Sequence, residues 1–525
     1  MSVPRFGVKA PYRFFAALVG LLLTLAVAAC GTSDPANATS DGPPTTMTLA
    51  TGFAIDDLDP MTNGFWHIEF GGAELLMRPV LANEPEPWLL ENLENVDDHT
   101  WVLSIQADAK FQNGNPLSGE ALAAVMTYSL QNVAGLKPLA GATVQASGDH
   151  EVTLTTPSPT PNLPYLLADE SKFVIFDLAA YQAANGDAGE LIGAGIYTGP
   201  YVVESLDTQT MQMTADADYW GGTPPLESVT VKFIEEAQPR ILAVQNGEAD
   251  LALYPPTDSA KSVDGRTDSY WVSGKPKGPT FQFRMNQKSG VLTDPDVRKA
   301  LLAAIDYEEI AADVMNGLYE VSGGMYSPEA PYYQQMFATD VAAAEKLLAE
   351  AGWTKGAADK LTKNGEPLSI TVLTYPQQPD SDTLALAVQS QLGKIGITVE
   401  IQQVPDLDEA EQDPNVDWDA AVHGNGSTSF SGDPTTTLQS TFAGDGSGNL
   451  TGINDPALDA LIAQYATTMD PATRDEILGE VQTTIADHAY MGWLGMRVPG
   501  VVVGPAWQSY EMPTANLWVD YQTKP

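Results

Sequence analysis

The stretch that decides the fold covers residues 368–401 and reads LSITVLTYPQQPDSDTLALAVQSQLGKIGITVEI. It opens with alternating apolar and polar residues, which is typical of a half-buried strand. From Asp382 onward, apolar residues recur at the spacing of one helix face, and Gly396 ends that helix. The residues from Ile397 to Ile401 alternate again. A strand, a helix and a strand of these lengths predict a βαβ unit with two parallel strands.

The same order of elements occurs earlier in the chain. A β-like run at 229–234 precedes a helical stretch at 239–246. Gly247 ends that helix, and residues 249–253 return as a strand. Two βαβ units so far apart in sequence predict at least two α/β lobes.

Composition restricts the function. The 525 residues include 25 Lys+Arg and 68 Asp+Glu, a formal charge of −43. This charge argues against a nucleic-acid binder, because such proteins need a basic face. One cysteine rules out an internal disulfide and a cysteine-based zinc site. The chain lacks H-E-x-x-H, G-x-S-x-G and P-loop motifs, and its five histidines have no ligand spacing. The sequence therefore predicts no enzyme, resident metal or cofactor.

The N-terminal residues have the pattern of an export signal. Three basic residues precede an apolar run at 14–28, which is shorter than the ~20 residues that a permanent membrane helix needs. Small residues stand directly before Cys30, as in a bacterial lipobox. We therefore expect a signal peptide over residues 1–29, lipidation of Cys30, and a flexible tether over residues 30–46.

Short motifs follow one another in a characteristic order along the folded part. They are EPWLL at 86–90, KFQNG at 110–114, TGPY at 198–201, DYWGG at 218–222, GEAD at 247–250, Asn286, VRKA at 297–300 with ID at 305–306, and AEAGW at 349–353. Each motif alone is weak. Together and in this order they resemble family 5 of the extracytoplasmic solute-binding proteins of ABC importers, which bind dipeptides, oligopeptides or nickel.

The resemblance implies an α/β fold of the type II periplasmic-binding-protein-like class. Two lobes would be joined by two chain crossings, near 282–286 and 490–495, with an extra subdomain in the first lobe. The implied boundaries are 47–282 for lobe I with the subdomain at about 75–195, 283–492 for lobe II, and 493–525 for the return to lobe I. The ligand would lie between the lobes and be enclosed by hinge closure.

The resemblance places residues 53–70 on the first lobe's wall of the cleft. Phe53, Trp66 and His67 are candidate ligand contacts, because aromatic side chains stack on a ligand with little loss of rotamer entropy. Phe65 is more typical of a core residue, and Trp66 fits a core position equally well.

The second lobe's specificity loop corresponds to residues 423–434, HGNGSTSFSGDP. Its Gly, Ser and Asn residues suit backbone hydrogen bonding to a ligand. The candidate contacts on this side are His423, Asn425, Ser427, Phe430, Asp433 and, near the return crossing, Trp493. Two of them have an alternative interpretation: Asp433 also fits a role in shaping the turn before Pro434, and Trp493 also fits the core.

The chain departs from both ligand-binding patterns of the family. Peptide-binding relatives carry an aspartate upstream of the Asp-Pro pair, whereas no carboxylate precedes Asp433 in this loop. A neutral site would lose a charge-assisted hydrogen bond worth ~1.5–3 kcal/mol. Relatives that bind a nickel–histidine chelate use arginines and a loop histidine. Here residues 169–176 contain no arginine, and residues 442–455 contain no histidine.

The expected function is that of a lipid-anchored substrate-binding protein of an ABC importer, without catalysis of its own. Short peptides are the first candidate ligand, and a nickel chelate is the alternative. A secreted hydrolase on a similar scaffold and a signalling lipoprotein with the same fold are rivals from other classes. The expected partners are the permease and ATPase subunits, with membrane contact through the lipid alone, at the outer face of the cytoplasmic membrane. We expect a monomer, no cofactor and no nucleic acid.

Overall fold

Two large β-sheets organise the chain, and smaller sheets and helices surround them. The computed structural model describes residues 43–80, 84–185, 187–274, 280–288, 290–328, 330–376, 378, 380–425, 433–512 and 517–524.

The first sheet forms the centre of lobe I. Its seven strands are, in spatial order, Tyr270–Ser273, Gly500–Val503, Leu251–Ala252, Thr46–Thr51, Ser228–Phe233, Thr210–Ala215 and Tyr201–Leu206. The strand at Thr46–Thr51 runs parallel to both of its neighbours, and the remaining pairs are antiparallel. The βαβ unit predicted at 229–253 is present, with the strand Thr46–Thr51 inserted between its two strands.

The second sheet forms the centre of lobe II. Its six strands are, in spatial order, Tyr319–Glu320, Met491–Arg497, Thr280–Met285, Ala420–Asn425, Ser369–Thr374 and Thr398–Gln403. The strands Ser369–Thr374 and Thr398–Gln403 are parallel and flank the helix Asp380–Lys394 in sequence. The βαβ unit predicted at 368–401 is therefore confirmed. Its helix begins at Asp380, two residues before the predicted Asp382.

A subdomain stands beside the first sheet. Its antiparallel sheet contains, in spatial order, Leu90–Asp97, Thr100–Ile105, Glu151–Thr155 and Thr143–Gly148. Apolar side chains of this sheet and of the helix Gly119–Asn132 belong to the same hydrophobic core as Leu49 and Val231 of the first sheet. The subdomain is thus packed onto lobe I. Two minor sheets pair Met77–Arg78 with Glu86–Pro87, and Thr354–Lys355, Leu361–Lys363 and Glu366–Pro367.

Aspartate begins many of the helices. Asp294, Asp455 and Asp470 each accept a backbone N–H at a helix start and are followed by proline at the first helical position. The α-helices beyond those named above are Gly64–Glu69, Leu163–Leu166, Leu178–Ala183, Ala188–Leu191, Ala237–Gln245, Ser259–Val263, Pro295–Ala303, Tyr307–Glu309, Val341–Glu350, Leu407–Gln412, Thr435–Thr437, Pro456–Thr467 and Pro471–His488. The 3₁₀ and π turns are Ala134–Leu139, Gly290–Thr293, Ile310–Val314, Ala357–Asp359, Leu438–Phe442 and Pro505–Trp507.

The chain passes between the lobes at two places that differ from the expected ones. It leaves the first sheet after Ser273 and enters the second sheet at Thr280, and it returns between Arg497 and Gly500. The expected crossings at 282–286 and 490–495 overlap the strands Thr280–Met285 and Met491–Arg497. These strands pair with each other in the second sheet, so the boundaries at 282/283 and 492/493 cut through strands of lobe II.

No helix in the described part of the chain has the features of a membrane-spanning helix. None of them combines the length and the apolar character that crossing a bilayer requires.

Candidate functional site

The candidate site lies where the carboxyl ends of the parallel strands of the two sheets meet. On lobe I the segments that follow these strands are 52–58 and 253–257, and on lobe II they begin at Tyr375 and Val404. Open α/β sheets bind ligands outside the carboxyl ends of their strands. A cleft between two such ends is therefore the expected place for a ligand.

Two hydrogen bonds join the lobes at this level. The Thr257 hydroxyl donates to a carboxylate oxygen of Asp380 at 2.7 Å. Arg497 donates from Nη2 to the carbonyl of Pro255 at 3.2 Å, and its Nε lies 4.0 Å from the Asp380 carboxylate. The first contact joins the segments that follow strands of the two sheets, and the second joins such a segment of lobe I to the return crossing.

Aromatic rings cluster in lobe I beside the end of the strand Thr46–Thr51. We call Phe53, Phe65, Trp66 and Tyr254 the aromatic wall. The Phe53 ring is 48% exposed, and its centroid lies 5.0 Å from Trp66 and 5.1 Å from Tyr254. Phe65 contacts the other side of Trp66, at 4.6 Å. The structure therefore brings together Phe53 and Trp66, two of the three lobe I residues that the sequence predicts.

A buried carboxyl lies behind the aromatic wall. One oxygen of Glu69 accepts a hydrogen bond from the Tyr254 hydroxyl and another from the Trp518 indole N–H, both at 3.1 Å. Burial raises the pKa of Glu69 well above its ordinary value, and the nearby Glu170 carboxyl raises it further. Both hydrogen-bond donors are neutral, so no donated positive charge offsets the burial of this carboxyl.

The backbone of Tyr254 is held in an uncommon conformation. Its φ of 51° lies in the left-handed region, which costs a non-glycine residue about 1–3 kcal/mol. The Arg240 guanidinium donates to the carbonyls of Leu253 and Tyr254, both at 3.1 Å, and to those of Ile234 and Glu235. Arg240 thus fixes the segments that follow the strands Ser228–Phe233 and Leu251–Ala252, which flank Thr46–Thr51, and holds the Tyr254 backbone in place.

His67 differs from its predicted position. It shares the helix Gly64–Glu69 with Trp66, but its side chain is 0% exposed and packs against the Tyr197 ring at 5.1 Å. Burial lowers the pKa of His67 to about 4, so the ring is neutral at neutral pH. A solute in the cleft cannot reach this ring unless the lobe rearranges, and His67 is not part of the aromatic wall.

Charged side chains cluster in lobe II near the segments that begin at Tyr375 and Val404. We call Arg284, Asp408, Glu411 and His423 the charge cluster. Arg284 Nη1 donates to Glu411 at 2.6 Å and to Asp408 at 3.2 Å, and His423 Nε2 lies 3.4 Å from the same Asp408 oxygen. The His423 ring also stacks on Tyr375, with 5.7 Å between centroids.

Burial and pairing shift the pKa values in the charge cluster. The hydrogen bond from His423 is the main reason that the pKa of Asp408 falls to about 2. Burial lowers the pKa of His423 and raises that of Glu411 to about 7, while Arg284 opposes the rise at Glu411. The charges of this cluster are therefore balanced within lobe II itself.

Three predicted loop residues lie at or beyond the end of the strand Ala420–Asn425. Asn425 is its last residue and pairs with Thr280 in the adjacent strand, which places it at the cleft end of the sheet. Ser427 and Phe430 lie outside the described residues, as does Cys30.

Asp433 has protein partners for both of its carboxylate oxygens. One accepts the backbone N–H of Thr435 at 2.8 Å, and the other accepts Arg474 at 3.0 Å. The residues Asp433 and Pro434 thus begin the short helix Thr435–Thr437 in the way that Asp-Pro pairs begin other helices of the chain. This geometry favours the turn-shaping interpretation of Asp433 over ligand contact.

Trp493 lies in the interior of lobe II. It is 0% exposed and has Phe337 and Phe442 at centroid distances of 6.3 Å each. Its strand position faces the helices of that lobe, so the structure favours the core interpretation of Trp493 and places it away from the cleft surface.

Comparison with known proteins identifies the fold just described. Residues 84–449 match the model of the bacterial extracellular solute-binding proteins, family 5. The chain belongs to this family. The predicted α/β, two-lobe, type II periplasmic-binding-protein-like fold class is thereby confirmed.

The proteins that this chain resembles differ in the ligands that their names and structures report. The nickel-binding protein NikA of Staphylococcus aureus is 24% identical over 461 residues, which cover 87% of this chain and 89% of that protein. The structure of NikA from Brucella suis with Fe(III)-EDTA has a TM-score of 0.80 at 22% identity and covers 91% of this chain and 99% of that one. The structure of AppA from Bacillus subtilis with a nonapeptide has a TM-score of 0.70 at 21% identity and covers 92% and 98%.

Several residues of the candidate site were not predicted from the sequence. Tyr254 lies two residues after the end of the strand Leu251–Ala252, and Glu69 stands three residues after Trp66 on one helix, so both positions carry a signal. Arg284 and Asp408 carry none, because 124 residues separate them. In the described part of this family 5 member, no group of three or more His, Cys, Asp and Glu side chains could hold a metal ion.

Proposed function

We propose that this protein captures a small organic solute between its two lobes and delivers it to the permease of an ABC importer. The observation that carries the proposal is that the parallel-strand ends of two α/β sheets meet beside the two chain crossings. Ligands bind outside such strand ends. Two lobes connected at one side enclose a solute by hinge closure.

The Asp380 carboxylate accepts a hydrogen bond from the other lobe, and this bond would form on closure and break on opening. One of its oxygens accepts hydrogen bonds from the Thr257 hydroxyl of lobe I and the Tyr319 hydroxyl of lobe II, each at 2.7 Å. Opening of the lobes breaks the first bond and leaves the second in place. A solute that contacts both walls therefore shifts the population toward the closed arrangement.

Short peptides are the first ligand class that we propose. The partly exposed rings of Phe53 and Trp66 offer stacking surface for apolar side chains or for the backbone of a peptide. The AppA structure, which shares this fold, holds a nonapeptide.

A nickel chelate is the second candidate, and the NikA relatives favour it. The described residues supply no metal-binding group of their own. Nickel would therefore enter the cleft inside an organic chelator that the two walls hold.

We also propose that a lipid on Cys30 holds the protein at the outer face of the cytoplasmic membrane. The support is the run of small residues before this single cysteine and the apolar segment at 14–28. Replacing Cys30 with serine in the native host is expected to abolish incorporation of labelled fatty acid and to release the protein into the soluble fraction. Equal membrane retention of both forms would contradict the anchor.

Native mass spectrometry of the purified protein tests the capture function. We expect an added mass that leaves on denaturation, and tandem fragmentation distinguishes a peptide from a nickel chelate. The released compound should be chemically unchanged after incubation with fresh protein, since we propose no catalysis. Absence of any bound mass, together with no binding when the extract's small-molecule fraction is returned to refolded protein, would contradict solute capture.

A further inference from the structure

The aromatic wall and Glu69 form one connected unit. Phe53, the exposed ring, meets the Tyr254 ring edge-on at an interplanar angle of 89°. The Tyr254 hydroxyl in turn donates to the Glu69 carboxyl. Trp66 and Glu69 are three residues apart on one short helix, so their side chains project from adjacent positions. The Tyr254 ring therefore links the exposed Phe53 ring to the buried Glu69 carboxyl.

Glu69 has no cationic partner within the described part of the chain. The ion pairs there do not include it, and its side-chain donors are a phenol and an indole. A buried carboxylate is costly without a positive charge or strong hydrogen bonds. The site thus lacks one positive charge that a ligand can provide.

The arginines of the described ranges are already engaged. The ones nearest the cleft donate to protein acceptors: Arg240 to four carbonyls, Arg284 to Asp408 and Glu411, Arg474 to Asp433, and Arg497 to the Pro255 carbonyl. The remaining ones, Arg78, Arg266 and Arg298, likewise have carboxylate or carbonyl partners. No described guanidinium is left to receive the carboxylate or phosphate of an anionic ligand.

We infer that the aromatic wall, backed by Glu69, holds the ammonium group of an organic cation. The inference rests on the proposed solute capture and narrows its substrate class. Ring faces attract a cation within about 6 Å of their centroids, most strongly where water is excluded. The hydrogen bond from Tyr254 to Glu69 polarises the Tyr254 ring and makes its face more negative. An overall charge of −43 adds a field that draws cations toward the protein.

Binding of the cation is coupled to a proton at Glu69. Glu170 and Tyr254 are the titratable groups that face this carboxyl, and neither supplies a positive charge. When the ammonium group arrives, it stabilises the ionised form of Glu69, and the carboxyl proton leaves to solvent. Affinity for the cation therefore rises with pH, because less work is needed to remove this proton.

Pairs of charged and uncharged probes test the inference on the purified, ligand-stripped protein. One pair is choline and its uncharged isostere 3,3-dimethyl-1-butanol. The other pair is Leu-Gly-Gly amide and its N-acetyl form. By titration calorimetry, the charged member of at least one pair is expected to bind at least tenfold more tightly than its neutral partner. Equal binding within both pairs, or no binding by either charged probe, would overturn the inference.

Two variants test whether the preference for the charged probe depends on Glu69. Glu69→Gln keeps the shape and is expected to reduce the preference for the cation to less than threefold. Glu74→Gln is the matched control, because Glu74 is also fully buried in lobe I and accepts only neutral donors, from Trp88, Tyr219 and Trp220, away from the aromatic wall. Its preference should equal that of the unmodified protein. A Glu69→Gln protein that keeps the full preference would overturn the role of Glu69.

Proton release provides a readout that a purely structural role would not change. Calorimetry of cation binding in two buffers of different ionisation enthalpy is expected to show a released proton in the unmodified protein and none in Glu69→Gln. Zero release in both proteins would contradict the coupling, whatever the variant's stability. If the cargo found by native mass spectrometry is anionic or neutral, the inference fails while solute capture stands. If no cargo is found and none of the probes binds, both fail.

Discussion

The aromatic wall of lobe I consists of stacked rings, whereas the charge cluster of lobe II consists of charged side chains that already contact one another. In lobe II, Arg284 and His423 pair with Asp408 and Glu411. In lobe I, Glu69 has only neutral donors. The charged groups of the two lobes thus differ in whether the protein itself neutralises them. The charges of lobe II are paired within the protein, whereas the buried carboxyl of lobe I is the group that we propose a bound cation would balance.

We expect the largest loss of stability when the charge cluster of lobe II loses its arginine. Arg284→Met leaves the fully buried Glu411 side chain without its cation, and such removal of one partner typically costs about 3–5 kcal/mol. We expect the free energy of unfolding, measured by urea denaturation of the purified protein, to fall by this amount.

Arg266→Met is the matched control for that variant. Arg266 pairs with Asp268 on the surface, where both side chains are largely solvated, and exposed pairs contribute about 0–1 kcal/mol. Equal effects of the two substitutions would show that the charge cluster does not hold lobe II together.

Lobe I contains a second buried carboxyl, that of Glu74, whose effect on stability depends on pH. Burial raises the pKa of Glu74 from 4.5 to about 7, and the donors to its carboxyl are neutral. Because the folded pKa is raised, its contribution to stability is complete below about pH 4.5 and is lost as the pH rises through about 7, a total change of about 3 kcal/mol. Glu74→Gln is therefore expected to remove this decline from unfolding free energies measured from about pH 4 to about pH 8. Parallel pH profiles of the two proteins would contradict the assignment.

Trp66→Ala separates ligand binding from packing. Loss of one stacking ring at the centre of the wall is expected to weaken binding of the preferred charged probe about thirtyfold, which corresponds to about 2 kcal/mol. Phe65 and Phe53 still support the helix, so the unfolding midpoint should change little. Calorimetry and thermal unfolding measure the two quantities.

Trp493→Ala is the opposite case, because this ring lies in the core of lobe II. It should lower stability by about 3–5 kcal/mol. If Trp493→Ala altered affinity in a protein of unchanged stability, or if Trp66→Ala unfolded the protein, the placement of the two tryptophans relative to the cleft would be wrong.

The smallest expected effect concerns the contact between the lobes. Thr257→Val removes the hydroxyl that reaches across to Asp380, at a net loss of about 1 kcal/mol to the closed state. Affinity for the same probe should fall about fivefold through a lower population of the binding-competent arrangement. Thr483→Val is the control, since that hydroxyl bonds only within its own helix. An unchanged affinity in Thr257→Val would remove this bond from the closing mechanism.

The fold was predictable where the relevant pattern is local. The alternation and helix spacing in residues 368–401 gave the βαβ unit, and an aspartate near the right position marked its helix start. The crossings were misplaced because the strand Thr280–Met285 owes its place to pairing with Ala420–Asn425 and Met491–Arg497. Pairing partners so distant in sequence leave no periodic signal at the strand itself.

The candidate site was predictable only in part, for the same reason. Phe53 and Trp66 stand near the first strand end and could be found by position. The partners of Glu69 lie 185 and 449 residues away, at Tyr254 and Trp518, and only the folded chain brings them together. Asp433 carried two interpretations, and its contacts with Thr435 and Arg474 favour the structural one.

The distance between the lobes, measured with and without solute, tests the central claim most directly. Cys30 is the single cysteine, so replacing it with serine allows spin labels at Leu242→Cys and Leu386→Cys, which are 51% and 57% exposed on helices of opposite lobes. In refolded, solute-free protein, pulsed electron paramagnetic resonance should give a broad distance distribution. Adding the small-molecule fraction of the cell extract should convert it to a narrow one centred on the distance between these two positions in the structure. A single distribution that is unaffected by the extract would contradict capture by closure.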